Sequence, residues 1–443
     1  MAGGMFSSMN KVRPGAYVNF ESQPSARINI GNRGVATMAL PLKWGGENSI
    51  IELTASDMIN GTSLAKVGLV ATDDAAFLMN LALKNCNALK LYNTNSGGAK
   101  ATATIGGGLT VTAKYPGTFG NKIAILIKAI GNKFDVETYA DGYFVDSQKV
   151  ATIKELVAND YVVFGGTGTL SASASTLLTE GTDGTAQESS AYLPKYFELL
   201  RITKWNTMAV LSSENADLQL VDTFIKEMRE SEGKYVQAVV ANYDAADYEG
   251  IINNVNGVVM NDKEVSAVEF CAWVAGAVAG ASIIESITGK VVQDATSIIG
   301  LLKNDEIIEA LSEGKFVLSL SQSGEVKVEK DINSLHTFTA DKTYTFSKNR
   351  VIRELDEIGA SIQSIWETTY LGKVSNNDAG RTLFKSSIID YLTDLQNRGA
   401  IQNFDSSNVS VIAGNDIDSV IAEIAIKPVD SMEFLYMTVN VEQ

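Results

Sequence analysis

The pattern of apolar and polar positions changes character several times along the chain, and each change marks a boundary. After the turn signal Arg13-Pro14-Gly15, the residues Ala16, Val18 and Phe20 alternate with Tyr17 and Asn19, the period-two pattern of one short strand. Polar residues follow up to Arg27, so this strand stands alone on an arm and needs a partner from elsewhere. Between Ile28 and Leu91 the pattern is mixed: 35–40 reads as a buried strand, Asp73-Asp74 as the start of a helix ending near Asn85, and 88–92 as a further strand. Asn95-Ser96-Gly97-Gly98 interrupts this region as a linker. From 99 to about 178 the chain reads β, with strands at 100–105, 109–115, 123–130, 134–140 and 142–146 joined by Gly-rich turns. The stretch 171–184, small, polar and Gly-containing, closes it.

Beyond Gln187 helical and extended patterns alternate as far as Lys330, which predicts an α/β layered fold. Helices are expected at 191–202, 215–231, 266–281 and 305–313, and strands at 207–211, 236–241, 257–260 and 316–320. Gly276 and Gly280, four apart on the 266–281 helix, predict a small face packed closely on the sheet. The last hundred residues differ again. Ile352, Leu355, Ile358, Ile362, Ile365 and Trp366 recur at helical spacing over 349–371, with Gly372 as the stop. A second helix, 379–398, carries the stripe Phe384, Ile388, Tyr391, Leu392 and Leu395 and ends before Gly399. Strands at 409–413, 421–427 and 435–441 follow, and the last places Leu435, Met437, Val439 and Val441 on one side.

The predicted fold class is therefore α/β multidomain: an α/β core domain, an inserted β-sandwich-like domain, an α+β C-terminal domain, and extended arms at both termini. The boundaries expected are 1–27 for the N-terminal arm, 28–96 with 187–330 for the discontinuous α/β domain, 97–186 for the insert, 331–433 for the C-terminal domain and 434–443 for a terminal linking strand.

Composition narrows the function by exclusion. The formal net charge of −16 opposes nucleic-acid backbones and anionic lipid. Two cysteines, Cys86 and Cys271, both in apolar segments, are too few for a disulfide framework and read as buried thiols of a protein made in a reducing cytosol. The first ten residues lack the basic-then-apolar order of a signal peptide, and the longest apolar run, 271–284, is too short to span a bilayer. His336 is the only histidine, in a stretch that reads as strand, so nucleophilic triads and zinc sites have almost nothing to be built from. Gly165-Gly166-Thr167-Gly168 is not followed by the Lys–Ser/Thr of a phosphate loop, and Gly289-Lys290 lacks the rest of that motif. Asp73-Asp74 and Asn376-Asn377-Asp378 precede helices and read as caps. No catalytic residue, cofactor or metal ligand is expected.

The remaining motifs resemble those of the contractile phage tail sheath family. The N-terminal run Lys11-Val12-Arg13-Pro14-Gly15-Ala16-Tyr17-Val18-Asn19-Phe20 is similar to the family's arm, and Tyr115-Pro116-Gly117-Thr118-Phe119-Gly120-Asn121 to its β-domain motif. In the C-terminal part, Asp331-Ile332-Asn333-Ser334-Leu335, Lys348-Asn349-Arg350-Val351, Tyr370-Leu371-Gly372-Lys373, Gly399-Ala400-Ile401 and 426–433 follow the family pattern in order. The resemblance implies a structural subunit that polymerises as stacked hexameric rings, a helical homo-oligomer, around an inner tail tube and contracts to drive that tube through a cell envelope. Implied partners are further copies of the chain, the tube protein, and baseplate and tail terminator proteins, with no nucleic acid and no direct membrane insertion. Assembly would take place in the cytoplasm of a bacterial host. The arm strands would be Ala16, Tyr17, Val18, Asn19 and Phe20 at one end and Leu435, Met437, Val439 and Val441 at the other. Because the chain is acidic, the basic residues Arg381, Lys385 and Arg398 are the expected tube contact. The competing readings are an α/β nucleotide-binding enzyme, whose Gly-rich strand-to-helix turn is missing near 212–215 and 242–245, and an adhesin or baseplate component, whose repeats are absent.

Overall fold

A computed structural model describes residues 2–4, 15–17 and 33–441. It contains two compact units. The larger holds Arg33–Ala360, Asp394–Phe404 and Ile426–Gln443, and the smaller holds Ser361–Thr393, Asp405–Ala425 and the described residues before Arg33. The segment 331–433 is thus divided between both.

At the centre of the larger unit lies a seven-stranded sheet in the order Lys315–Phe316, Ile251–Asn254, Gln237–Ala241, Thr207–Ala209, Val35–Leu40, Ala88–Asn93, Ile50–Thr54. All neighbours run parallel except the last pair. Gln237–Ala241 is buried at every position, as a central strand covered on both faces must be. Its side chains alternate: Val239 and Ala241 join a core with the helices Asp74–Leu83 and Ala267–Gly280, while Ala238 and Val240 join a second core with the helices Ser189–Arg201 and Asn215–Lys226. Ala267–Gly280 is apolar all round and buried from Phe270 to Ala279, which places it inside the molecule. Its small face meets a helix, where the sequence suggested the sheet. A Cβ on Gly276 would lie 2.4 Å from the Ala82 carbonyl oxygen, and one on Gly280 would lie 1.7 Å from that of Asn85.

The inserted β region is a sandwich. One sheet has the order Tyr143–Val150, Lys133–Ala140, Ile123–Ile130, Ser173–Leu177, and the other Val162–Gly165, Leu109–Ala113, Thr102–Ile105. Two of these strands, Val162–Gly165 and Ser173–Leu177, lie outside the strands predicted from the sequence; only Val162 of the first is buried and none of the second, so neither carries a clear apolar alternation. Ile125, Ile127, Val111 and Val136 fill the interior. The motif 115–121 closes the base: Gly117, at φ 135°, brings its backbone so near the Lys43 carbonyl that a Cβ would stand 1.9 Å away. Asn121 exchanges two hydrogen bonds with the Gly181 backbone at 2.8 and 2.9 Å.

Asn349–Ile365 continues into a π-type turn, Trp366–Tyr370. In the smaller unit Trp366, Tyr370 and Phe384 form an aromatic cluster with centroids 4.8–6.3 Å apart. His336 is not in a strand: its N–H donates to Asp247 Oδ1 at 2.9 Å from an irregular segment.

Candidate assembly surfaces at the chain ends

Chemistry-bearing residues are employed structurally. Asp73 accepts from the Val70 N–H at 2.8 Å and from Lys43 at 2.7 Å, and Asn377 caps the Gly380 N–H at 2.9 Å. Cys86 and Cys271 are free and buried, and burial pushes the Cys86 thiol up to about 11 and that of Cys271 higher still. Among the described residues no cluster of three or more His, Cys, Asp or Glu is placed to hold a metal, and no helix is long and apolar enough to cross a membrane. Strand order reverses between Val35–Leu40 and Thr207–Ala209, where an open α/β sheet would hold a ligand. There Tyr196 hydrogen-bonds Thr37 at 2.6 Å and, with Tyr192 and Leu193, leaves about 10 Å3 of free volume, room for one water at most.

The C-terminal segment is more informative. It runs beside 400–402, with the Gln402 N–H donating to the Lys427 oxygen and the Val429 N–H to the Ala400 oxygen, both at 2.9 Å. Glu433 is then held by the Lys348 ammonium and by the Thr288 hydroxyl at 2.8 Å. Burial disfavours the Lys348 charge, but the hydrogen bond and charge of Glu433 more than compensate and raise its pKa. Past that point the side chains lose their cover. Leu435, Tyr436, Met437, Val439 and Val441 are 70–92% exposed. The predicted strand 435–441 does not form within the chain, because no described strand lies beside it to supply the ladder.

The smaller unit carries the complementary feature. Val409–Ala413 and Val420–Ile424 form an antiparallel hairpin to which no other described strand is added, and Ile412, Ile417 and Ile421 stand exposed on it. A two-stranded hairpin alone is marginal in water, and its outer edges are open templates. At the other end of the chain Gly15–Tyr17 is a strand paired in parallel with Ala2–Gly4, which covers the backbone of Ala16 and Tyr17; Val18, Asn19 and Phe20 lie outside the described residues.

Of the basic residues singled out in the sequence, Arg381 and Lys385 share one face of the helix Asp378–Asn397, and Arg398 follows its last residue. Arg381 is engaged locally, ion-paired to Asp378 and donating to Asn376 at 2.8 Å, and Arg398 Nε lies 2.9 Å from Asp394. Lys385 is half-buried.

Sequence reasoning missed the polar face of Asn349–Ile365. Arg350, Arg353, Glu354, Asp356 and Glu357 are all buried. Arg229 makes a bidentate pair with Asp356 at 2.7 and 2.9 Å; burial works against the Arg229 charge, and Asp356 more than offsets it. Arg353 reaches Asp331 at 2.7 Å, both essentially without solvent contact. No well-aligned hydrogen bond reaches either Glu354 carboxyl oxygen, and the nearby Val429 N–H donates to the Ala400 carbonyl. Burial lifts this carboxyl to about 8 against the pull of Arg350 and of the Val429 N–H, with Asp430 adding to the rise. A clear apolar stripe hides such a face: the charges opposite it read as solvated until the packing is known.

Four family models match successive parts of the chain: the tail sheath protein Gp18 domain III N-terminal region over 33–93, and the beta-sandwich, central and C-terminal domains of phage tail sheath proteins over 96–183, 189–334 and 341–442. The phage-like element PBSX protein XkdK of Bacillus subtilis is 34% identical over 473 residues, covering 100% of both chains. The tail sheath protein of Clostridium phage phiCD119 is 31% identical over 208 residues, 46% of this chain and 57% of that protein. Among solved structures, the sheath tail protein of Desulfitobacterium hafniense shares 40% identity with TM-score 0.73, over 97% of this chain and 100% of that one. For the sheath tail protein of Listeria innocua the values are 34% and 0.81, over 94% and 96%. The contracted helical sheath of the anti-feeding prophage, at 13% identity, TM-score 0.58 and coverage of 98% and 100%, shares the fold.

Proposed function

The chain belongs to the phage tail sheath family, and from that premise we propose that this tail sheath subunit polymerises as stacked hexameric rings around an inner tail tube and contracts to drive the tube through a cell envelope. Partners in this reading are other copies of the chain, the tube protein, and the baseplate and terminator proteins at the two ends of the sheath, joined in the cytoplasm of the bacterial host. The observation that supports it most is the exposed apolar alternation of Leu435, Met437, Val439 and Val441 in a chain whose hairpin Val409–Ala413/Val420–Ile424 has open edges. A strand from one copy added to the hairpin of another satisfies both deficits, and each ladder hydrogen bond contributes about 1 kcal/mol. In such a joint the link is made by main chain, so it survives rotation of the bodies it joins. The work of contraction then comes from contacts. Each additional 100 Å2 of apolar surface buried per subunit in the contracted lattice supplies roughly 2.5 kcal/mol.

Electron microscopy of the purified chain tests the reading: striated hollow tubes support it, and uniform monomers at high concentration overturn it. Deletion of 435–443 sharpens the test. The truncated chain is expected to melt cooperatively at the parent temperature and to form no tubes, and tubes of normal length from it would remove the terminal strand from the joint.

A further inference from the structure

In the larger unit, the charges buried on the first turns of Asn349–Ile365 lie beside Arg33 and beside the residues that grip Glu433. Arg33, the first described residue after the N-terminal segment, donates from Nη1 to the Arg353 carbonyl at 3.4 Å. Asp356, Arg229 and Arg353 all act on its charge. On the C-terminal side Glu433 is gripped by Lys348, whose ammonium is also 3.5 Å from Asp430. The two grips are connected. Arg353 Nη2 donates to Asp331 Oδ2 at 2.7 Å, the Asp331 N–H donates to Thr288 Oγ1 at 2.9 Å, and that hydroxyl donates to Glu433 at 2.8 Å. Asn349 braces the same Asp331 through Oδ1 at 3.0 Å, and Arg353 Nη2 also reaches the Glu285 carbonyl at 2.7 Å. Hydrogen bonds joined through the covalent frames of Arg353 and Asp331 therefore lead from Arg33 to Glu433: Arg33 holds the Arg353 main-chain carbonyl, the Arg353 guanidinium holds the Asp331 carboxylate, and the Asp331 N–H reaches Glu433 through Thr288.

We propose that the first turns of this helix are a common mooring for both terminal segments, so that pull on one is passed to the other through Arg353 and Asp331 and bypasses the seven-stranded sheet. The inference rests on the reading that these segments link neighbouring subunits. Physical chemistry favours charges for this task. Apolar side chains slide past one another at small cost, whereas a buried, hydrogen-bonded ion pair resists displacement in every direction, because moving it leaves a charge unpaired in a medium that solvates it poorly. Such pairs add little net stability over apolar replacements, and a requirement for fixed geometry is a reason to keep them.

The test is hydrogen exchange on single subunits, followed by assembly. Substitution Glu433→Gln is expected to speed exchange of the Val429 amide at least tenfold and to leave the Gly34 and Val35 amides, which donate to Asn206 at 3.0 and 3.1 Å, within twofold of the parent. Arg353→Met is expected to speed exchange at both places, with the sandwich strands Ile123–Ile130 and Lys133–Ala140 unchanged within twofold. Should Arg353→Met lose cooperative melting, Arg353→Lys takes its place, since the lysine chain is one atom too short to bring its nitrogen to where Nη2 meets both Glu285 and Asp331. Polymers of Glu433→Gln are expected to break under shear into lengths several-fold shorter than the parent's. Parent-like exchange at either root in the Arg353 variant, or polymers of parent length and strength from Glu433→Gln, overturns the mooring. A parent chain that forms no polymer overturns the assembly reading instead, and the exchange result on single subunits keeps the two failures apart.

Discussion

Ala267–Gly280 and the part of Asn349–Ile365 that lies in the larger unit are deeply buried by opposite means. Ala267–Gly280 is apolar on every side, and its glycines let its backbone approach the neighbouring backbone so closely that no side chain fits between them. Asn349–Ile365 buries arginines and carboxylates and is held by directional pairs. The first arrangement is insensitive to pH and salt but intolerant of volume. The second depends on its buried charges having their partners.

The largest expected effect comes from unbalancing the charged helix. Arg229→Met leaves Asp356 buried and unpaired and should destabilise by about 3–5 kcal/mol in urea denaturation. The double replacement Arg229→Met with Asp356→Leu should recover most of that loss. A double variant no more stable than the single one would show that the pair contributes to stability beyond mutual compensation. Next is volume: Gly280→Val drives a side chain into the Asn85 carbonyl and should cost about 3 kcal/mol, with lower thermal midpoint and no dependence on salt. A midpoint within a degree or two of the parent would mean that the two helices separate easily.

A smaller effect is expected from pH. The Glu354 carboxyl, raised to about 8 from an ordinary 4.5, holds a proton in the folded chain that the unfolded chain releases. The folded state therefore binds more protons between those values, and its stability falls as pH rises from about 4.5 to about 8. Glu354→Gln cannot ionise and should flatten that part of the profile, becoming the more stable chain near pH 8. Parallel melting curves of the two proteins from pH 5 to 9 would show that Glu354 has found a partner. The smallest effect on the fold is at the proposed tube contact. Arg381→Glu with Lys385→Glu should leave monomer stability within about 1 kcal/mol, because the Arg381–Asp378 pair it breaks is partly solvated. It should reduce loading around the cognate tube while empty sheath still forms. Parent-level loading at matched salt would place the tube contact elsewhere.

The apolar helix was legible in the sequence, and the charged one was half-legible. A run such as Phe270–Ala279 announces burial by composition alone, though not which neighbour the glycines touch, because close approach is a property of two segments 190 or so residues apart and leaves no local trace. In Asn349–Ile365 the stripe of Ile352, Ile358 and Ile365 gave the element and its inner face, but Arg353 and Asp356 find Asp331 and Arg229 only through the fold. Buried strands such as Val35–Leu40 were likewise legible, whereas their order in the sheet, which only the fold decides, and the exposed, polar edge strand Ser173–Leu177 were not. The terminal segment shows the limit from the other side. Alternation at 435–441 marks a capacity to pair, and among the described residues no strand of the same chain partners it.

In the proposed joint, that terminal segment would also set how neighbouring bodies can move. Glu433 is the last residue held in the larger unit by a buried ion pair, and Leu435 is the first of the exposed alternating run. Only Phe434 stands between them, packed loosely with its ring 5.4 Å from the Lys330 ammonium. If the run pairs from Leu435 onward, the joint has about 7 Å of slack, two residues at full extension. Linked subunits so connected cannot slide far past each other. They can swivel about Phe434, as about the pin of a universal joint, so any large rearrangement of a lattice built this way is a change of angle at nearly constant leash length.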